Sequence, residues 1–165
     1  MKARRFGQAH AQACKFPTGA AKSQALAAFM QKHGDDLPAS AIKKATATDQ
    51  LGKWETICDA TGIVGAMRYE NSDWYLCTVK NAAIRPDMRG KGLGSKLYAA
   101  TALRARNNPS CLVLAADVTH DNIPSMKALT RIGFRTVNRF CWGRGQKPAH
   151  VLHFVQMPPQ GKTCP

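Results

Sequence analysis

Residues 84–100 read IRPDMRGKGLGSKLYAA, with glycine at 90, 92 and 94, Arg89 and Lys91 threaded between them, and a helical pattern directly afterwards. Alternate glycines make a poor helix and give a strand no side chains to pack, so this segment presents its backbone. Upstream, TVKNAAI (78–84) reads as a strand. Downstream, Leu93, Leu97, Ala100 and Leu103 recur at helical spacing until NNP (107–109) ends the run. A strand, a basic glycine turn and a helix N-terminus bring unpaired amides and the positive end of a helix dipole to one spot. Phosphate is the natural guest there.

Working outward, KWETIC (53–58), IVGAMRY (63–69) and WYLCTVKNAAI (74–84) are β-branched or aromatic runs. They are joined by the short turns DATG and ENSD, which predicts an antiparallel meander. After the glycine segment and its helix, CLVLAADV (111–118) reads as a buried strand. The helix between makes it a parallel neighbour of residues 74–84. NIPSMKALTRIG (122–133) is a second helix, capped by Asp121 or Asn122, with Pro124 in its first turn and Gly133 at the left-handed end position. FRTVNRFCW (134–142) and HVLHFVQM (150–157) read as two more strands around the turn GRGQKPA (143–149). Earlier, residues 18–33 predict a helix burying Ala25, Leu26, Phe29 and Met30, with Thr18 as cap and Gly34 as stop. Residues 43–49 are ambiguous. The expected fold is α/β: a mixed, mostly antiparallel sheet with helices on its faces.

The 165 residues predict one domain, 1–165, large enough for its own core. Composition is that of a soluble globular protein, and no apolar run approaches the roughly 18 residues of a membrane span. The start, MKARRFGQAHAQACKF, is basic and lacks an apolar stretch, so the expected location is cytoplasmic. Six cysteines (14, 58, 77, 111, 141, 164) show no metal spacing, and free buried thiols are expected, with no metal site. Net charge is +14, with no acid before Asp35 or after Asp121. Such an excess points to a polyanionic partner, or to a solvated basic surface.

Two phosphate motifs fail at residues 84–100. A P-loop needs Ser or Thr after its lysine, and Lys91 is followed by Gly92; the dinucleotide fingerprint meets Ser95 at its last glycine. RGKGLG (89–94) instead resembles the acyl-CoA signature of the GNAT N-acetyltransferase superfamily. A second block strengthens the resemblance: Asn122, Ser125, Gly133 and Phe134 stand at the family's spacing of an Asn, a small residue three on, and Gly-Phe eleven and twelve on. The likeness covers residues 53–142. It implies that the backbone of Arg89, Gly90, Lys91, Gly92, Leu93, Gly94 and Ser95 cradles the pyrophosphate of acetyl-CoA, the co-substrate. It also implies that Asn122 and Ser125 contact the pantetheine arm, and that Ile84 lines it and offers an amide to the thioester. Gly133 and Phe134 are read as structural.

The implied reaction is direct transfer of acetyl to a primary amine. The sequence departs from the family where many members carry a proton-donating Tyr, seven residues after the Asn; here that residue is Leu129. Ser125, Tyr98 and Cys141 are the nearby protic groups. Glu70, Asp73, Asp117 and His120 are candidates for the base, and the catalytic set carried forward is Glu70, Asp117 and Ser125. CoA phosphates do not account for Arg4, Arg5, Lys15, Lys22 or the arginines after Asp121, so the expected acceptor is macromolecular, a protein or RNA- or DNA-associated amine. A homodimer and a catalytically impaired binding module that uses the basic surface stay open as alternatives.

Overall fold

A computed structural model describes residues 12–34, 37–142 and 149–156. Its elements are β1 (Gln12–Ala13), α1 (Gly19–His33), α2 (Ala39–Ala45), β2 (Trp54–Asp59), β3 (Gly62–Asn71), β4 (Leu76–Ile84), α3 (Leu93–Arg106), β5 (Val113–Thr119), α4 (Ile123–Arg131), β6 (Arg135–Trp142) and β7 (Ala149–Gln156). The expected helix at 18–33 is present, and the Thr18 hydroxyl accepts the Ala21 amide at 3.1 Å as its cap. The ambiguous stretch is divided between the end of α2 and a 3-10 turn, Thr48–Lys53. Residues 143–148 of the expected turn lie outside the described residues.

The strands form one sheet in the order β1-β2-β3-β4-β5-β7-β6. Every pairing is antiparallel except β4 with β5, as the helical crossover requires. Alternation divides β3 between two cores. Ala66 packs with Leu26, Phe29, Met30, Ile42 and Trp54 beneath α1 and α2, while Met67 packs with Leu97, Leu114, Leu129 and Phe134 beneath α3 and α4. The Trp54 indole N–H donates to the Ala45 carbonyl at 2.8 Å, which ties α2 to the sheet. No helix among the described residues is long and apolar enough to cross a membrane.

Two expectations are corrected. Leu103 is 61% exposed, whereas Leu97, Tyr98, Thr101, Ala102 and Ala105 are buried. The inward stripe of α3 is therefore rotated from the apolar spacing, because small and hydroxylated residues fit closest to the sheet. Cys14 and Cys58 are not free thiols but form a disulfide, since β1 pairs with β2 and brings them together. Cys77 and Cys111 are free and buried, as expected; the side chain of Cys141 and all of Cys164 lie outside what is described.

One feature of the sheet positions the site. β4 pairs with β5 only from Leu76–Val113 to Val79–Ala116. Beyond that point β4 stays on β3 as far as Ile84, and β5 stays on β7 as far as Thr119. The sheet opens between them.

Candidate active site

The glycine segment sits at this opening. A 3-10 turn, Pro86–Met88, leaves β4, and Gly90 and Gly92 follow at φ 75° and 77°. These left-handed conformations disfavour any residue with a Cβ. An added Cβ at either glycine meets nothing within 4 Å, so the loop borders open space and the requirement is conformational. Gly94 lacks a positive φ, and a Cβ there would touch Ile84 at an ordinary 3.8 Å. Gly92 is the N-cap of α3 and has no side chain to cap it, so the first-turn amides face that open space.

Arg85 anchors the segment. Its guanidinium donates to Asp87 at 2.7 Å, to Asp59 at 2.8 Å and to the Thr61 hydroxyl at 2.7 Å, fastening the end of β4 to the β2–β3 turn. Hydrogen bonds from Thr61 and then Arg85 hold the Asp59 carboxyl below its ordinary value, and Arg85 does the same for Asp87. Arg89 donates to the Ile84 carbonyl at 3.1 Å. Lys91 folds back, its ammonium 3.3 Å from the Met88 sulfur.

A cavity of about 550 Å³ runs from this loop into the opened seam. On one wall are Ala82, Ala83 and Ile84 of β4. The Arg85 amide donates to the Val64 carbonyl at 2.9 Å, and Ile84 stands opposite Gly65. Antiparallel alternation then directs the amides of Ala82 and Ile84 away from β3 and toward the opening. Opposite lies α4, whose cap Asn122 accepts the Ser125 amide at 3.2 Å. Tyr98 of α3 lies between these walls, its hydroxyl hydrogen-bonded to the Ser125 side chain and its ring edge-on to Phe134 at 6.5 Å. Burial raises the Tyr98 pKa above the ordinary phenol value.

Of the residues singled out from sequence, Ile84, Arg89, Gly90, Gly92, Leu93, Gly94, Ser95, Asn122 and Ser125 all line this cavity; Lys91 does not. Glu70 and Asp117 also lie outside its lining. Glu70 ends in an ion pair with Arg68 at 2.8 Å, near Lys80 at 3.8 Å, and Asp117 is on β5 in register with His153. Leu129 is fully buried in the core beneath α3 and α4.

Sequence reasoning missed His33, Lys127 and Arg131, which also line the cavity. Burial, followed by the charges of Lys32, Arg85 and Arg89, holds the His33 imidazole below its ordinary pKa. The only advance signal was the basic excess around α4. Among the described residues no carboxylate lines the cavity.

Amides and cations at one end of a cleft, and a strand edge with inward amides along its side, fit a protein that binds an elongated ligand with an anionic, phosphate-like head. The chain belongs to the acetyltransferase (GNAT) family, whose model matches residues 23–134. No curated protein matches the sequence. Among solved structures, an acetyltransferase from Salmonella typhimurium determined with acetyl-CoA is similar at a TM-score of 0.69 and 14% identity, over 93% of this chain and 95% of that one. The ribosomal-protein-S18-alanine N-acetyltransferase of Escherichia coli gives 0.69 and 14%, over 93% and 98%. A Drosophila melanogaster polyamine N-acetyltransferase gives 0.68 and 14%, over 83% and 95%. These likenesses concern the fold. Acetyl-CoA is the family's co-substrate, and the open space at Gly90 and Gly92 beside an uncapped helix terminus fits its pyrophosphate.

Proposed function

We propose that this acetyltransferase moves the acetyl group of acetyl-CoA directly onto a primary amine carried by a macromolecule, a protein or nucleic-acid-associated acceptor. Bound acetyl-CoA supplies an electrophilic thioester carbon and a thiolate leaving group. The amides from Arg89 to Ser95 receive the pyrophosphate, with Arg89 adding charge and Leu93 packing beneath the loop. The amides of Ala82 and Ile84 stabilise oxygen along the strand edge, and Asn122 and Ser125 hold the arm from the other wall. Holding both reactants in one cleft supplies much of the rate. An amine of pKa near 10 arrives protonated and must lose a proton first. Water in the opened seam carries it out, and Glu70 and Asp117 act on the amine only through such a relay.

The observation that carries the acceptor class is the cavity's charge. Arg89, Lys127 and Arg131 line it without a described carboxylate. Meanwhile Glu55, Asp59, Glu70 and Asp87 are each paired with a cation elsewhere. A small polycationic amine is repelled by such a site, whereas an amine displayed on a polyanionic surface is drawn toward it. Acetyl-labelled CoA incubated with the protein and a cell extract tests this. Label is expected in the macromolecular fraction and is expected to vanish with Gly92→Glu; label confined to small amines would overturn the acceptor class.

A further inference from the structure

Cleavage of a thioester leaves negative charge on sulfur, and a protic side chain held beside that sulfur can meet the charge with a proton. Among the described residues, the protic side chains lining this cavity are His33, Arg89, Ser95, Tyr98, Asn122, Ser125, Lys127 and Arg131. Of these, Arg89, Asn122, Lys127 and Arg131 are exposed, and His33, Ser95 and Ser125 are half-buried. Tyr98 alone is buried, at 5% exposure. It stands three residues beyond Ser95 on α3, about 4.5 Å farther from the phosphate-facing end of the helix. An arm that starts at the loop and follows the β4 edge inward passes toward it.

We propose that Tyr98 is a catalytic residue whose hydroxyl, oriented by Ser125, protonates the departing CoA sulfur. The inference rests on the acetyl-transfer reading and assigns a residue to its last step. Three observations support it independently of that reading. The ring is fixed edge-on against Phe134. The hydroxyl has a defined partner in Ser125, which lines the same cavity. Burial keeps the phenol protonated across the neutral range, so it serves as a donor and not as a base.

The step balances. The amine nitrogen bonds to the carbonyl carbon, the carbon–sulfur bond breaks with its electron pair on sulfur, and the Tyr98 proton moves to that sulfur. The tyrosyl oxygen regains a proton from the one shed by nitrogen, passed through the Ser125 hydroxyl and water. Amine and thioester become amide and thiol.

Hydroxylamine is the probe acceptor, because it is neutral at pH 7 and needs no base; thiol release is followed with a thiol-reactive dye and corrected for the uncatalysed rate. Tyr98→Phe should lower kcat about 100-fold while leaving the acetyl-CoA Kd within about twofold by calorimetry. Ser125→Ala, which leaves the phenol in place, should lower kcat at saturating acetyl-CoA by about tenfold. Wild-type turnover with Tyr98→Phe retaining more than about a third of it would overturn this inference alone, as would a loss of affinity that accounts for the whole fall in rate. If only the macromolecular fraction of the extract is acetylated, the Tyr98→Phe comparison is made on that acceptor; no wild-type transfer to hydroxylamine or to the extract would overturn the acetyl-transfer reading, and this inference with it.

Discussion

Breaking the Cys14–Cys58 bond releases β1 from the edge of the sheet and frees the unfolded chain of a cross-link spanning 44 residues. The loop-closure relation gives about 13 cal/mol/K for that span, or about 4 kcal/mol at 25 °C. In a domain of this length each kcal/mol moves the unfolding midpoint by about 2–4 °C, so a fall of about 8–16 °C is expected. The measurement is thermal unfolding followed by circular dichroism, with and without reductant, and on the double variant Cys14→Ser, Cys58→Ser. Reductant should shift the wild type to the midpoint of the variant and leave the variant unmoved. A wild-type midpoint that stays within about 2 °C on full reduction would refute the reasoning, because the entropy argument allows no such small effect.

Other outcomes follow from single groups. The Thr101 hydroxyl is fully buried and finds no partner among the described residues, so the isosteric Thr101→Val should stabilise the fold by about 1 kcal/mol; a urea midpoint that fails to rise at constant m would contradict this. Burial pushes the Cys77 thiol up to about 12, so mass spectrometry should find it unalkylated by iodoacetamide in the native protein at pH 8 and modified once unfolded. Asp59 and Asp87 have folded pKa values below the ordinary 3.8. Their contribution to stability is present above that value and is lost as pH falls through the lower, folded one. Arg85→Met removes the shared cation and should flatten the decline of the urea midpoint below pH 4; an unchanged slope would exclude the Arg85 network as its cause.

Local chemistry made much of the fold legible. Thr18, Asn122 and Gly133 mark helix ends through the hydrogen bonds and φ they permit, and the structure places all three as expected. The alternating glycines announced a backbone-presenting loop, and two of the three take the conformation that only glycine adopts freely. Tertiary pairing was less legible. Insertion of β7 between β5 and β6 depends on which strand edges meet, and no spacing within either strand encodes it. The same holds for Cys14 and Cys58, whose separation of 44 carries no motif and which meet only because β1 lies on β2. On α3, apolar spacing favoured Leu103 over Tyr98, although the packing surface is shaped for a phenol that reaches Ser125. His33 was invisible because its place in the cavity depends on where α1 ends, one turn past Phe29, and not on neighbours in sequence.

The central claim is that the loop at residues 89–95 and the opened seam between β4 and β5 receive acetyl-CoA. Calorimetric titration of acetyl-CoA into the wild-type protein and into Gly92→Glu tests it most directly. Gly92 holds φ 77° beside open space, so the variant places strain and a negative charge where phosphate is received. The account predicts saturable binding of one acetyl-CoA per chain in the wild type and at least about a hundredfold weaker binding, about 2.7 kcal/mol, in a variant that still folds. Equal affinity in the two proteins, or no saturable binding by the wild type, would contradict it.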